Sequence, residues 1–132
     1  MKYVILCSFF LLISCSHLNK SEVKYVGVWE WKVEEQGYGE SGSIELRNDG
    51  KYGYSIEFWN PTENHNIVSD NYYFDWYLDG DFICLEGSAG RHGSKSDECW
   101  IRVKREATQV TQLSIKGTAL KREIALFRVR GS

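Results

Sequence analysis

The sequence contains almost no proline and has no excess of positive charge. Its 132 residues include one proline, Pro61, and 16 lysine and arginine residues stand against 18 aspartate and glutamate residues. Because no basic run is long enough to follow a nucleic-acid backbone, a nucleic-acid-binding protein is not expected. Histidine is also scarce, and His17, His65 and His92 lie far apart in polar segments. The pattern therefore predicts no metal site, no cofactor and no enzyme activity.

Long apolar runs are missing except at the N-terminus. There, residues 3 to 13 are apolar apart from Ser8 and follow Lys2, but this run is shorter than the roughly 20 residues that a membrane-spanning helix needs. A cationic start before a short apolar stretch is typical of a secretory signal. At its end, Leu12-Ile13-Ser14-Cys15 resembles the signal box of bacterial lipoproteins.

The resemblance to the lipoprotein signal box implies a processed and lipid-anchored protein. In that case the chain is cut before Cys15, and the Cys15 sulfur carries diacylglycerol. Because Ser16 and not aspartate follows, the resemblance implies anchoring in the outer membrane, facing the periplasm of the cell envelope. The alternative is an ordinary signal peptide with an incidental cysteine. The predicted organisation is a signal peptide over 1–14, a lipidated tether over 15–23 and one domain over 24–132.

Two cysteines remain once the N-terminal segment is set aside. Cys7 lies in the predicted signal and Cys15 in the lipid site, which leaves Cys84 and Cys99. An even pair in an exported chain predicts a disulfide. Two reduced, buried cysteines are the alternative, because sequence alone does not show that their Cα atoms come close enough to be bridged.

Aromatic residues are abundant, and many recur with the period of two that is typical of half-buried strands. The pattern predicts an all-β domain of eight antiparallel strands in an up-and-down meander barrel, with closure left open. The predicted strands cover residues 25–33, 43–47, 51–59, 71–78, 82–86, 98–105, 109–116 and 120–130. The last segment also carries helical propensity over 119–126, although a strand is favoured. On the sixth strand, Cys99, Ile101 and Val103 are predicted to share one face and Trp100 to lie on the other.

The inward-facing side chains of this barrel are predicted to be mostly aromatic. They are Trp31, Tyr52, Tyr54, Phe58, Tyr72, Phe74 and Trp76. Rings that carry hydroxyl or indole N–H groups suit a pocket for a hydrophobic or amphipathic small molecule, and these seven residues are the predicted ligand-binding set. The alternative is that the rings only fill the interior of a small barrel.

The connections between the predicted strands alternate in length. Loops at 34–42, 60–70 and 87–97 are long, whereas the turns after the second and fourth strands are tight. In a meander, odd-numbered connections share one end of the barrel, so one end is expected to be open and to face away from the anchor. This arrangement suggests a second hypothesis, in which the three loops bind a protein partner and the chain is an envelope inhibitor or immunity protein that blocks a lytic enzyme or toxin. Within the first loop, the G-x-G-x-x-G pattern of residues 37–42 is interpreted as a hairpin, because a strand and not a helix follows it.

The start of the first strand, Gly27-Val28-Trp29, resembles the Gly-x-Trp of the lipocalins. In that family a basic residue late in the last strand packs over this tryptophan, and Arg128 or Arg130 stands at the matching place. The resemblance implies a barrel that can hold one small ligand and is closed by Gly27, Trp29 and Arg128. A guanidinium stacked on an indole contributes about 0.5 to 2 kcal/mol.

Overall fold

The computed structural model describes residues 18–62, 66–70, 72, 74–88, 96–103, 110, 112–117 and 122–129. These residues form one short helix, α1 (Lys20–Val23), and the strands β1 (Gly27–Glu35), β2 (Tyr38–Leu46), β3 (Tyr52–Trp59), β4 (Asn66–Asp70), β5 (Trp76–Asp79), β6 (Phe82–Ser88), β7 (Ser96–Arg102), β8 (Gln112–Lys116) and β9 (Glu123–Arg128). In this part of the chain no helix has the length and apolarity needed to cross a membrane. The all-β prediction is confirmed.

All strands belong to one antiparallel meander sheet. Its order is β4-β3-β2-β1-β9-β8-β7-β6-β5, so β1 pairs with both β2 and the final strand β9. The pairing of β1 with β9 brings the two ends of the chain together, as an up-and-down barrel requires. The two edges of the sheet, β4 and β5, are neighbours in sequence.

The strands β4 and β5 together take the place of the single predicted fourth strand. This part of the chain runs alongside β3. Tyr54 of β3 lies opposite Asp70 of β4, and Lys51, just before β3, forms an isolated bridge with Asp75, just before β5. At this end of the barrel the Trp76 N–H donates to the Gly50 carbonyl at 2.8 Å. The prediction of eight strand positions therefore holds, although the fourth strand starts earlier than expected and is interrupted between β4 and β5.

The C-terminal segment forms a strand and not a helix. In β9, Ile124 and Leu126 are buried and alternate with more exposed residues, and the strand pairs with β8 along its length. Burial of alternate side chains between two neighbouring strands outweighs the local helical propensity of this segment.

The predicted loops were partly wrong. Residues 34–42 form a tight hairpin, because β1 continues to Glu35, β2 begins at Tyr38, and the turn residues Gln36 and Gly37 have φ values of 53° and 81°. Positive φ at both central positions is typical of a two-residue hairpin. The hairpin interpretation of the glycine pattern is thus confirmed, whereas a long loop at 34–42 is contradicted. The predicted loop at 60–70 likewise contains β4.

The predicted link at 106–108 lies outside the described residues. The connection at 34–42, which was predicted to be long, is the two-residue turn described above. The sharp contrast between an open end and a tightly connected end is therefore not observed. A connection's length depends on where pairing stops, which single-sequence patterns locate poorly.

The predicted tether is folded against the barrel from residue 18 onward. Leu18 packs against the core, and α1 follows with Asn19 as its N-cap. The Asn19 side chain accepts a hydrogen bond from the Glu22 N–H at 3.0 Å, and Glu22 reaches back to the Asn19 N–H. This reciprocal pair is a capping box, which satisfies backbone donors at a helix start.

The barrel interior is packed with apolar side chains from most strands of the sheet. Residues that are 2 % exposed or less include Trp29, Ile44, Leu46, Ile56, Ile83, Leu85, Ile101, Leu113, Ile115, Ile124 and Leu126. In the regular stretches of the strands these residues alternate with outward-facing neighbours, which is the pattern of a barrel interior.

Candidate functional site in the barrel interior

One end of the barrel is closed by a contact between Trp29 of the first strand and Arg128 of the last strand. Trp29 is fully buried, and its Nε1–H donates to the Tyr25 carbonyl at 3.0 Å. The Arg128 guanidinium lies 4.6 Å from the centroid of the Trp29 ring and donates from Nη2 to the Lys24 carbonyl at 2.6 Å. Burial lowers the pKa of Arg128. The predicted stacking of Arg128 on Trp29 is confirmed, and Arg130 lies outside the described residues.

Gly27 opens β1 with a backbone conformation that favours glycine. Its φ is 146°, a value that residues with a Cβ rarely adopt. Gly27 lies between two buried aromatic residues, Tyr25 and Trp29. Its backbone conformation therefore sets the direction in which the chain enters β1. This explains why the residue at position 27 is glycine.

Two residues of the predicted ligand-binding set are held by the protein itself. Tyr52 is 1 % exposed and its hydroxyl donates to the Glu86 carbonyl at 2.8 Å. Trp76 is 2 % exposed and its Nε1–H donates to the Arg47 carbonyl at 3.1 Å. Their polar atoms already have backbone partners, so these rings fill the core, as the alternative interpretation of the pattern proposed.

Three other aromatic residues form a cluster inside the barrel, which we call the ring cluster: Trp31, Tyr54 and Trp100. The Trp100 ring lies 6.3 Å from Trp31 and 6.4 Å from Tyr54 between centroids, with interplanar angles of 65° and 86°. Edge-to-face contacts of this kind are favourable between aromatic rings. Trp31 and Tyr54 are each 5 % exposed, and Phe58, also predicted, is half-buried against the core.

Trp100 enters the ring cluster because β7 is irregular. Ile83 pairs with Ile101 and Leu85 with Glu98, and the register shifts between these two pairs. A bulge places an additional residue on one strand and interrupts the alternation of faces. The sequence pattern had placed Trp100 opposite Ile101 and Val103, and this prediction is wrong. Sequence periodicity carries no signal for a single inserted residue.

The same irregularity places the two cysteines side by side on the outer face. Cys84 and Cys99 form a disulfide with a Cα–Cα distance of 4.0 Å, as predicted. Cys84 is buried and Cys99 exposed, so Cys99 does not share the interior face with Ile101 and Val103. Asp79 approaches both sulfur atoms, with all three ligand atoms within 4.8 Å of one another. Sulfur atoms joined in a disulfide offer no thiolate, the form of cysteine that binds metals.

Tyr72 does not face the interior, which contradicts its predicted place in the ligand-binding set. It is 42 % exposed, its hydroxyl donates to Glu45 Oε2 at 2.8 Å, and the Arg47 guanidinium lies 4.9 Å from its ring centroid. The hydrogen bond to Glu45 raises the pKa of Tyr72. The irregularity between β4 and β5 breaks the alternation that placed Tyr72 inside. Phe74 remains half-buried and packs against the core.

Two glutamates face the interior near the ring cluster, and sequence reasoning missed both. Glu40 is fully buried and its Oε2 accepts a hydrogen bond from Trp31 Nε1–H at 3.3 Å. Glu98 is 9 % exposed, and among the described residues its Oε2 has no hydrogen-bond partner. Glu40 shares its strand face with Gly42, Ile44 and Leu46, so the alternation of β2 identifies it once that strand is extended to residue 38.

The position of Trp31 depends on Gly42, its neighbour across the β1–β2 pairing. A Cβ added at Gly42 would come within 2.3 Å of the Trp31 ring. Because Gly42 has no side chain, the Trp31 indole can lie over it. In this position the indole N–H donates to Glu40. Sequence reasoning interpreted Gly42 only as part of a loop.

An open depression of about 920 Å³ lies on the outer face of β1, β2, β3 and β9. Small side chains such as Ser41 and Ser43 form its floor, and Phe127, which is 58 % exposed, stands at its side. A ligand there would keep much of its surface in water, whereas small-molecule sites bury most of the ligand. The barrel interior with its buried carboxylates is the stronger candidate.

No protein-family profile, curated protein or solved structure is recognisably similar to this chain. The candidate site is therefore defined by geometry alone: the ring cluster, with Glu40 and Glu98, inside a barrel that Arg128 and Trp29 close at one end. Cys15, His17, His65 and His92 lie outside the described residues.

Proposed function

We propose that the chain is a lipid-anchored protein of the bacterial outer membrane whose barrel binds a hydrophobic or amphipathic small molecule. The observation that carries this proposal is the ring cluster, whose rings meet edge to face inside the barrel beside two inward carboxylates. Apolar rings with a few polar groups are the usual lining of small-molecule sites. A core needs no carboxylate, and burying one is unfavourable unless it acquires a partner.

The site of this proposal is smaller than the predicted ligand-binding set. Trp31 and Tyr54 belong to it, Trp100 joins them, and Phe58 stands half-buried beyond them. Tyr52 and Trp76 act as core residues, and Tyr72 lies on the outer face. The stacking of Arg128 on Trp29 supports a lipocalin-like relationship, because it unites the two ends of the chain as the resemblance implies.

The binding proposal can be tested with the neutral fluorescent probe N-phenyl-1-naphthylamine. We expect the purified protein to bind the probe with a rise in its fluorescence, and Trp100→Leu to weaken that binding several-fold because one wall of the site is lost. Trp59→Leu is the matched control: Trp59 donates to Glu34 at the exposed surface, so its loss should leave probe binding unchanged. Equal effects of the two substitutions, or no uptake by the parent protein, would argue against an interior site.

The anchoring proposal requires its own experiment. In cells fed an alkyne-bearing fatty acid, we expect the parent chain to be labelled and to fractionate with the outer membrane, because several acyl chains on one residue hold firmly in a bilayer. Cys15→Ala should abolish the labelling and release the protein, whereas Cys7→Ala should do neither. Labelling that persists in Cys15→Ala would refute lipidation at this residue.

A further inference from the structure

The strongest unexplained feature of the interior is the Glu98 carboxylate. Glu98 lies on β7, opposite Leu85 of β6, and only 9 % of it is exposed. Its Oε2 is shielded from solvent and, within the described part of the chain, accepts no hydrogen bond. A buried carboxylate oxygen without a partner is unfavourable, so proteins that keep one normally supply a cation or a donor.

Glu98 differs in this respect from Glu40, the other interior carboxylate. Glu40 already accepts a hydrogen bond from the Trp31 indole. Trp31 in turn contacts Trp100, which stands two positions beyond Glu98 on β7. Glu98 thus lies beside aromatic rings and has an unused acceptor atom.

We propose that Glu98 recognises the positively charged nitrogen of an organic ammonium ligand, whose apolar part packs against the ring cluster. This inference rests on the proposed binding function and specifies the class of its ligand. Aromatic faces attract organic cations as well as apolar groups, and a carboxylate supplies the opposite charge and an acceptor. A hard metal ion suits the site less well, because calcium needs six to eight oxygen ligands and magnesium an octahedral set.

The experiment compares two probes that differ in charge but have the same alkyl chain: decylammonium, whose N–H groups can donate to Glu98, and decanol, each below its aggregation limit. Their affinities are measured by displacement of N-phenyl-1-naphthylamine from the full-length purified protein. We expect the ammonium probe to bind at least tenfold more tightly than the alcohol. Glu98→Gln should reduce ammonium affinity about tenfold to a hundredfold, the range for losing a charged partner, and should leave decanol affinity unchanged.

The matched control is Glu30→Gln, which removes one carboxylate from the exposed face of β1 and should change neither affinity. Glu98→Leu provides a second readout, because an apolar residue at a buried, unpartnered charge should increase stability toward urea while removing the ammonium preference. Binding of both probes with equal affinity, or an unchanged ammonium affinity in Glu98→Gln and Glu98→Leu, would overturn the inference and leave the binding function standing. If the parent protein bound neither probe nor the fluorophore, the binding function itself would fail.

Discussion

At the scale of single residues, the closing contact between Arg128 and Trp29 is the feature whose loss should be felt most. The guanidinium stacks on a fully buried indole and also donates to the Lys24 carbonyl. The chain offers a comparison, because the Arg102 guanidinium lies 5.5 Å from the Phe82 ring centroid at an exposed position. Each pair places a guanidinium near an aromatic ring, but the Trp29 ring is buried whereas Arg102 is exposed.

We therefore expect Arg128→Leu to lower the free energy of unfolding by about 2 to 3 kcal/mol, the combined loss of a desolvated cation–π contact and a charged hydrogen bond. Arg102→Leu should lower it by less than about 1 kcal/mol, since exposed cation–π pairs are weak. Urea unfolding followed by tryptophan fluorescence measures both. Losses of similar size would show that the barrel closure has no special energetic role.

A second residue-scale prediction concerns alkaline pH. Hydrogen bonds to carboxylates raise the pKa of two tyrosines, Tyr72 through Glu45 and Tyr77 through Asp97. A raised pKa means that the folded state holds the proton more tightly. The resulting stabilisation is fully present below the unfolded pKa of about 10 and is lost as the pH rises through the folded value.

In an ultraviolet titration of tyrosinate absorbance, we expect Glu45→Gln to move the ionisation of Tyr72 to lower pH. Tyr72→Phe should remove one of the late-titrating groups. Glu30→Gln, which has no contact with Tyr72, should leave the profile as it is. If Glu45→Gln had no effect on the titration, the outer-face position of Tyr72 would be in question.

At the scale of elements, irregular pairing explains where sequence periodicity succeeded and where it failed. Regular alternation in β1 and β3 correctly placed Trp31 and Tyr54 inside. The irregular stretches around β4, β5 and β7 misplaced Tyr72 and Trp100. Bulges change which face a side chain occupies without changing the residue types, so periodicity cannot reveal them.

The β6–β7 hairpin is also the element that the disulfide secures. Cys84 and Cys99 are separated by 15 residues, and closing a loop of that length contributes about 3 kcal/mol in the chain-entropy account. We expect the double variant Cys84→Ala/Cys99→Ala to lose a similar amount of stability in urea unfolding. A thiol reductant should destabilise the parent protein and have no further effect on the double variant; an equal response of both proteins to reductant would contradict this.

At the scale of the whole molecule, the barrel depends on β9 pairing with β1. This strand supplies the buried Ile124 and Leu126, carries Arg128 to Trp29 and lies between β1 and β8 in the sheet. Removing β9 would expose the Trp29 ring and would leave β1 and β8 without the strand that joins them. The fold therefore includes long-range contacts that no shorter segment can replace.

We expect a chain that ends at residue 122 to lack cooperative unfolding and to show red-shifted tryptophan fluorescence, because Trp29 becomes exposed to water. A chain that ends at Val129 keeps β9 and should unfold as cooperatively as the parent. Calorimetry and fluorescence distinguish the two. Native-like unfolding of the shorter chain would show that β9 is dispensable.

The residue pattern was enough to predict the all-β class, the meander order, the strand at the C-terminus and the Cys84–Cys99 disulfide, whereas the lipocalin resemblance implied the contact of a late arginine with Trp29. The first four follow from local alternation, from the lengths of the connections and from an even pair of cysteines. Strand pairing in three dimensions was needed to reveal the two-residue length of the turn at 36–37, the interruption between β4 and β5, the inward position of Trp100 and the burial of Glu40 and Glu98. Those features depend on register between strands distant in sequence, and a shift of one residue reverses the face on which a side chain lies.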